Sequence, residues 1–251
     1  MTNMRSLLLP ALIAALTFVQ SARAQQPPAA TIVRSVLALT SLPSVVDAPL
    51  FFKLSKAELA PGQTTKYSGP VGFIYVLSGS LTAQGDAGPR SLQPDDALLV
   101  AAGKSHSLRA VGSEPAIFLH YVLARSHELD QSDEPPAAVS ELYRTPRAIP
   151  DLKPGRYEFT LTRVSYPPRM APNPPHSRSG AALYYIRSGT GLFIADGKPE
   201  TKEAGRPHFE PHGWVHQWGV ASDTPLVLLQ ANISEEGVPA VIFQPPPAPA
   251  R

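Results

Sequence analysis

The sequence predicts an all-β fold made of two tandem barrels behind an N-terminal signal peptide. The 251 residues include 29 prolines, more than twice the usual share of about 5%. A helix tolerates proline only in its first turn, so this density excludes a helical bundle or a coiled coil. Short apolar stretches separated by turns such as Asp196-Gly197 are typical of a sandwich or barrel. An internal repeat divides these strands into two similar sets.

The repeat relates stretches of sequence that lie 110 positions apart. FIYVLSG at 73–79 matches LYYIRSG at 183–189, and both are apolar strands that end in Ser-Gly. The same offset relates further pairs without a gap: Gly103 and Gly213, His106 and His216, and Pro115 and Pro225. We therefore expect a tandem duplication.

The duplication and the composition together predict how the chain is organised. We expect a signal peptide (1–24), an N-terminal arm (25–49), a first domain (50–125), a linker (126–156), a second domain (157–235) and a proline-rich tail (236–251). Strands are expected at 50–59, 73–81, 97–102 and 116–123, and again at 157–166, 181–195, 207–211 and 226–232. Within the linker, Pro135-Pro136 predicts the start of one short helix over 137–143.

The first 24 residues have the three parts of a secretory signal peptide. Arg5 supplies the positive charge, residues 7–19 the apolar segment, and Ala22-Arg23-Ala24 the cleavage site. The apolar run is shorter than the roughly 20 residues that span a bilayer, which favours cleavage over a retained signal anchor. The mature chain is then expected to begin at Gln25 and to be periplasmic or secreted, without membrane attachment.

The charge balance and the lack of cysteine exclude several classes of partner and site. The formal net charge of +2 becomes zero once Arg5 and Arg23 leave with the signal peptide. A neutral chain without a lysine or arginine cluster has no electrostatic basis for binding nucleic acid or an anionic membrane. A sequence without cysteine also excludes disulfides, thiol catalysis and thiolate metal sites. A small-molecule ligand remains as the expected partner.

Histidine is scarce, and four of the seven histidines lie between positions 176 and 216. Because side chains alternate along a strand, His208 and Glu210 share one face of theirs. His176 and Arg178 likewise share a face, which continues through Tyr184. Two strands that each turn a histidine inward can meet at one point inside a barrel.

The second repeat resembles a cupin domain in two motifs. The second cupin motif is G-x5-P-x-G-x2-H-x3-N, and it is matched at Gly205, Pro211, Gly213 and His216, with Val220 in place of the asparagine. The first motif ends H-x-H-x3-E-x6-G, and His176 and Gly189 match it. Arg178 and Ala182 replace its second histidine and its glutamate.

The first repeat resembles the same family more weakly. It keeps Gly79, Gly103 and His106, whereas the other three ligand positions hold Lys66, Ser68 and Gly72. The whole chain therefore resembles a bicupin whose N-terminal domain is degenerate. The resemblance implies two jelly-roll (double-stranded β-helix) barrels and, by analogy, a homodimer that pairs through edge strands.

Cupins typically hold one divalent transition metal, so the resemblance implies Fe, Mn, Cu, Ni or Zn in the C-terminal barrel. His176 and His216 would be its ligands, with Glu210 or His208 completing the set. Arg178 opposes this, since a guanidinium ~4 Å from the ion costs on the order of 4 kcal/mol per metal charge at an effective dielectric constant of about 20. A metal centre and a metal-free barrel both stay open.

Three functions are consistent with these residues. The first is a metal-dependent dioxygenase or related oxidoreductase acting on a small organic molecule, with Arg178 paired to a substrate carboxylate. The second is a metal-free protein that binds a carboxylate or a sugar through Arg178, Tyr184 and Trp218. The third is an interaction module with two vestigial barrels. We expect a C-terminal barrel that binds a small organic molecule, and the sequence identifies no catalytic residue.

Overall fold

The computed structural model describes residues 31–42, 48–129 and 138–244. The predicted signal peptide and residues 245–251 of the predicted tail lie outside this part of the chain. Among the described residues there is no helix with the length and apolar character needed to cross a membrane.

The described residues form nineteen strands and one short 3-10 helix at Ser126–Glu128. Up to residue 144 the strands are β1 (Val33–Leu42), β2 (Leu50–Leu59), β3 (Thr64–Ser68), β4 (Val71–Ser78), β5 (Ser80–Gly85), β6 (Gly88–Leu92), β7 (Ala97–Val100), β8 (Ser105–Val111), β9 (Ala116–Arg125) and β10 (Ala138–Arg144). Beyond it they are β11 (Tyr157–Tyr166), β12 (His176–Arg178), β13 (Ala181–Ser188), β14 (Thr190–Ala195), β15 (Lys198–Glu203), β16 (Pro207–Glu210), β17 (His216–Val220), β18 (Leu226–Glu235) and β19 (Val241–Phe243).

These strands make four sheets, two for each repeat. The first barrel consists of the sheets β10-β2-β9-β4-β7 and β3-β8-β5-β6, and the second of β1-β11-β18-β13-β16 and β15-β14-β17-β12-β19. The facing sheets enclose an apolar core, with Ile74 and Phe118 in the first barrel and Ile186 and Trp218 in the second. The predicted all-β fold of two tandem jelly-roll barrels is confirmed.

The matching Ser-Gly pairs of the two repeats form the same tight turn. Gly79, after β4, has a φ of +70°, and Gly189, after β13, has a φ of +80°; glycine adopts this left-handed region without steric cost. A Cβ atom at either position would lie 2.4 Å from a carbonyl oxygen, that of Pro115 at Gly79 and that of Pro225 at Gly189. The turn requires glycine in both barrels, which explains why the two repeats share it.

Each barrel is completed by a strand from outside its own predicted domain. β1 pairs antiparallel with β11 from Val33↔Ser165 to Leu42↔Tyr157. β10 pairs antiparallel with β2 of the first barrel. Part of the predicted N-terminal arm therefore belongs by pairing to the second barrel, and part of the predicted linker to the first.

The helix predicted over 137–143 is wrong, because residues 138–144 form strand β10. Residue 137 lies outside the described part of the chain. A helix of about seven residues is marginal in water unless tertiary contacts support it. The edge of β2 instead offers a row of unpaired N–H and C=O groups, and pairing with them determines the conformation of this segment.

A third apolar core lies between the two barrels. It consists of alternate residues of β2, β4 and β9 from the first barrel and of β11, β13 and β18 from the second. Phe159 packs between Phe52 and Phe73, with ring-centroid distances of 6.0 and 4.4 Å. The Tyr121 hydroxyl donates to the carbonyl oxygen of Leu229 at 3.4 Å. One sheet of each barrel therefore packs against the other barrel.

Candidate functional site

The seven residues predicted for the site all lie inside the second barrel. Strands β12, β13, β16 and β17 carry them, and the set is His176, Arg178, Tyr184, His208, Glu210, His216 and Trp218. Each is at most 8% exposed. The strands that bear them are neighbours, since β12 pairs with β17 and β13 pairs with β16. Residues far apart in the sequence thus meet in one buried polar cluster.

The centre of this cluster is an ion pair between Arg178 and Glu210. Arg178 Nε donates to Glu210 Oε2 at 2.7 Å, and both side chains are almost fully buried, at 3% and 0% exposure. Glu210 Oε1 accepts from Trp218 Nε1 at 2.7 Å and lies 3.0 Å from His216 Nε2. Burial by itself raises the pKa of Glu210, but Arg178 and His216 outweigh it and hold that pKa well below its usual range. The carboxyl is ionised and both of its oxygens are engaged.

Tyr184 extends the network to the opposite side of the guanidinium. Arg178 Nη2 donates to the Tyr184 hydroxyl, which donates in turn to Gln230 Oε1 at 3.2 Å. Burial raises the pKa of Tyr184 well above its usual value, although Arg178 opposes the shift. The phenol therefore keeps its proton. Of the guanidinium nitrogens, Nη1 lacks a hydrogen-bond partner among the described residues.

His176 and His216 face one another across the ladder between β12 and β17, with ring centroids 4.4 Å apart. The Nδ1 atom of His176 lies 3.0 Å from the carbonyl oxygen of Pro174, and that of His216 lies 2.8 Å from the carbonyl oxygen of Trp214. A carbonyl oxygen only accepts, so the Nδ1 atom of each ring carries a proton and donates it. Burial lowers the pKa of His176 to about 4, so its ring is neutral at pH 7.

His208 lies beside this cluster among aromatic rings. Its ring centroid is 4.4 Å from that of Phe193 and 5.4 Å from that of Trp218. Burial lowers its pKa to about 4, and its Nε2 lacks a hydrogen-bond partner within the described part of the chain. His208 is therefore a neutral ring that packs on aromatic side chains.

The residues at this centre do not fit the divalent metal that the cupin resemblance implies. A permanent cation, Arg178, stands at one of the ligand positions and holds the carboxylate that would have to bind the metal. Across residues 31–42, 48–129 and 138–244, no three or more histidines and carboxylates gather as a ligand set. The charge of the guanidinium and the engagement of Glu210 both oppose a second cation at this point.

The first barrel has no such centre. At the positions 110 residues earlier, Tyr184, His208, Glu210 and Trp218 are replaced by Ile74, Leu98, Val100 and Leu108. These four side chains are buried in the apolar core of the first barrel. Lys66 and Ser68 are exposed on β3, because the side chains that point inward there are those of Thr65 and Tyr67.

The remaining ligand positions of the first barrel are equally unsuited to a metal. Gly72 accepts no side chain, since a Cβ there would lie 2.3 Å from the carbonyl oxygen of Tyr121. His106 is half-buried on β8. Polar side chains are buried in the first barrel too, at Thr65, Tyr67 and His120, but within the described residues a buried pair of an arginine and a carboxylate belongs to the second barrel alone.

Two polar residues of the site, Gln230 and Asn232, were not predicted. Both are on β18, where they share the inward face with Leu226 and Leu228. Asn232 is 1% exposed, and neither its Oδ1 nor its Nδ2 has a partner in the described part of the chain. Strand alternation from Leu226 onwards is the sequence signal that indicates their orientation.

Comparison with known proteins supports the fold. The family model described as "Cupin domain" matches residues 56–122. This match lies in the first repeat, although the second repeat retains more of the motif residues. No curated protein matches the sequence.

Solved structures with similar folds include three cupin-like proteins. The first is oxalate decarboxylase from Lactobacillus farciminis in a formate complex, with 14% identity, 84% of this chain and 88% of that chain covered, and a TM-score of 0.54. The second is a cupin 2 conserved barrel domain protein from Leptotrichia buccalis, with 17% identity, 84% of this chain and 91% of that chain covered, and a TM-score of 0.45. The third is salicylate 1,2-dioxygenase from Pseudaminobacter salicylatoxidans, with 14% identity, 73% of this chain and 71% of that chain covered, and a TM-score of 0.49. At 14% identity, the likeness to the decarboxylase concerns the fold alone. The family model therefore identifies residues 56–122 as a cupin domain, and both barrels of the chain have the jelly-roll fold.

Proposed function

We propose that the second barrel binds a small, neutral, polar organic molecule at a metal-free centre built around Arg178 and Glu210, and that the protein does so after export. The observation that carries this proposal is the contrast between the two barrel interiors. Where the first barrel buries Ile74 and Val100, the second buries Tyr184 and Glu210.

The contrast matters because the fold does not need a charged centre. A buried ion pair is often no more stabilising than apolar residues of similar volume, since taking two charges out of water is costly. The first barrel orders eight strands in the same way, and it has apolar side chains where the second has Tyr184, His208, Glu210 and Trp218. The polar centre of the second barrel therefore supports a role in recognition rather than in folding.

The charges at the centre favour a neutral ligand. Arg178 and Glu210 already cancel one another's charge at 2.7 Å. A sugar or another hydroxyl-bearing molecule adds no charge that would need a counter-ion. A carboxylate would have to displace Glu210 from Arg178 and leave a buried anion unpaired, which is strongly unfavourable.

Several buried polar atoms offer hydrogen bonds to such a ligand. Arg178 Nη1 is a donor, Asn232 has a donor in Nδ2 and an acceptor in Oδ1, and His208 Nε2 is a further polar ring atom. None of these four atoms has a hydrogen-bond partner among the described residues. Buried polar groups are otherwise almost always paired. Since all three residues are buried, the ligand enters through local opening.

A metal-dependent oxidoreductase is the second candidate, and one observation favours it. His176 and His216 both donate Nδ1 to backbone carbonyls, which is how metal-binding histidines are commonly oriented. In that case Arg178 would have to leave Glu210 for the ion to bind.

The experiment that decides between them combines metal analysis with a ligand screen. Both tryptophans of the chain, Trp214 and Trp218, lie in the second barrel, so intrinsic fluorescence reports on that barrel. We expect a saturable fluorescence change with a neutral sugar or polyol and no stoichiometric metal by elemental mass spectrometry. The change should disappear in Arg178→Ser/Glu210→Val, which removes both charges of the centre, and persist in His106→Ala.

Two results would overturn the proposal. Near-stoichiometric transition metal that is lost from a His176→Ala/His216→Ala variant would establish the metal centre instead. Ligand binding that Arg178→Ser/Glu210→Val leaves unchanged would move the site away from Arg178.

A further inference from the structure

A groove of about 600 Å³ lies outside the barrel interiors, where the first strand and the two barrels meet. Asp95, between β6 and β7, comes from the first barrel, Arg163 and Ser165 from β11, Arg187 and Ser188 from β13, and Ser35 from β1. Arg163 and Ser165 flank Val164, whose side chain belongs to the core of the second barrel. Their own side chains therefore project from the opposite face of the sheet.

One carboxylate in this groove faces two guanidinium groups. Asp95 Oδ1 accepts from the Tyr75 hydroxyl at 2.5 Å. Arg187 Nε lies 3.6 Å from Asp95 Oδ1, and an Nη atom of Arg163 lies 4.0 Å from Oδ2. Both distances exceed those of a hydrogen bond. Asp95 thus balances one of the two positive charges and saturates the donors of neither arginine.

Hydrogen bonds with the backbone hold Asp95 and Arg187 in place. Asp95 has a φ of +72° and donates its N–H to the carbonyl oxygen of Val76 at 2.9 Å. Arg187 Nη2 donates to the carbonyl oxygen of Leu77 at 3.1 Å, while its Nε lacks a hydrogen-bond partner among the described residues. Arg163 and Arg187 are 39% and 34% exposed. The guanidinium of Arg187 is therefore positioned in advance, and both guanidiniums are reachable from solvent.

We infer that this groove binds a small dianion, a phosphate group or a short dicarboxylate, whose oxygens bridge Arg163 and Arg187. Guanidinium groups match such oxygens in geometry and charge. The hydroxyls of Ser35, Ser165 and Ser188 line the same groove and can donate to the remaining oxygens. Because these arginines and serines belong to β1, β11 and β13, the bound anion would tie the first strand to the second barrel. The inference is independent of the function proposed for the barrel interior.

The test is calorimetric titration of the protein with inorganic phosphate and, separately, with malonate, at constant ionic strength set by chloride. We expect saturable binding of at least one of the two, and the comparison shows whether the site prefers a phosphate or a dicarboxylate. Arg163→Gln should weaken binding by about tenfold, the effect of losing one charge-assisted hydrogen bond. Asp95→Asn should strengthen it, because the competing carboxylate is removed.

The chain offers a matched control in a second groove of about 450 Å³. That groove is lined by Arg109 with Thr64, Thr82 and Ser107, and Arg109 is the single charged residue among the described residues that line it. Arg109→Gln should leave phosphate and malonate binding unchanged. Absence of saturable binding of both anions at millimolar concentration overturns the inference. So does an affinity that neither Arg163→Gln nor Asp95→Asn alters.

Discussion

Ala182 and Glu210 lie directly opposite one another in the ladder between β13 and β16. The cupin motif has its glutamate at the position of Ala182, so the second barrel has lost that carboxylate and presents another from the neighbouring strand, about 4.8 Å away. On β16, the carboxylate is within reach of Arg178 Nε and Trp218 Nε1. Because the carboxylate lies on β16 and not on β13, it pairs with Arg178 at the place where the cupin motif implies a bound metal ion.

Breaking this ion pair on one side should be far more harmful than removing it. Glu210→Val leaves Arg178 buried without a counter-ion, and we expect the free energy of unfolding to fall by about 3–5 kcal/mol. Arg178→Ser/Glu210→Val removes both charges, so no buried charge is left unpaired, and it should recover part of this loss. Urea denaturation of the wild type and of both variants measures the difference. If the double variant were as unstable as Glu210→Val or less stable, that result would contradict the pairing.

Stability should depend on pH through the buried histidines. The pKa values of His176 and His208 are about 4 in the folded chain, against about 6.5 when unfolded. Between these values the unfolded chain binds protons that the folded chain does not. The free energy of unfolding therefore falls as the pH drops, by up to about 1.4 kcal/mol per pH unit for each histidine. The stability contributed by Glu210 is present above its unfolded pKa of about 4.3 and is lost as the pH falls below that value, because its folded pKa is held well below the usual range.

The matched variant for this pH dependence is His208→Leu, since the first barrel has Leu98 at the corresponding position. Its stability should fall less steeply than that of the wild type between about pH 6.5 and 4. Urea denaturation across this range gives both curves. Parallel curves would show that His208 is protonated equally in the folded and unfolded chains.

Asn232 and Gln230 should respond to apolar substitution in opposite directions. Neither polar atom of the Asn232 side chain has a partner in the described structure, and the first barrel has Val122 at that position. Asn232→Val should therefore raise the free energy of unfolding by about 1 kcal/mol. Gln230→Leu removes the acceptor of the Tyr184 hydroxyl and should lower it by about 1–3 kcal/mol. Thermal unfolding distinguishes these outcomes, and destabilisation by Asn232→Val would show that its side chain is paired.

The core between the barrels should make them unfold together. Phe159 packs against Phe52 and Phe73 of the first barrel, so Phe159→Ala should cost about 3–5 kcal/mol. Tryptophan fluorescence, which follows the second barrel, and far-UV circular dichroism, which follows both, should give one transition. Val36→Ala is the control, because Val36 is 63% exposed and its loss should change stability by less than about 0.5 kcal/mol. Separate transitions in the wild type would contradict a shared core.

The features that local rules determine were predictable from the sequence. Gly79 and Gly189 are required by positive φ and by the closeness of a proline carbonyl, and they revealed the duplication. Strand alternation correctly placed His208 and Glu210 on one face, and both are buried. Such signals depend only on neighbours along the chain.

Features that depend on distant residues were not predictable in the same way. Residues 138–144 form a strand because the edge of β2 is available to them, which no local pattern records. Likewise, nothing near Arg178 indicates that its partner is Glu210, 32 residues later. The sequence therefore predicted which residues meet in the second barrel, but not that the arginine is already neutralised.

The pairing of β1 with β11 has a consequence for assembly. β1 is made before the other described strands, but its partner β11 is made only after the whole first repeat and the connection beyond it. Pairing between such distant segments slows folding. An isolated second repeat would expose the edge of β11 that β1 now covers. The same ladder formed between two molecules would exchange their first strands without any new kind of contact, which is a low-cost route to a domain-swapped dimer during concentrated refolding.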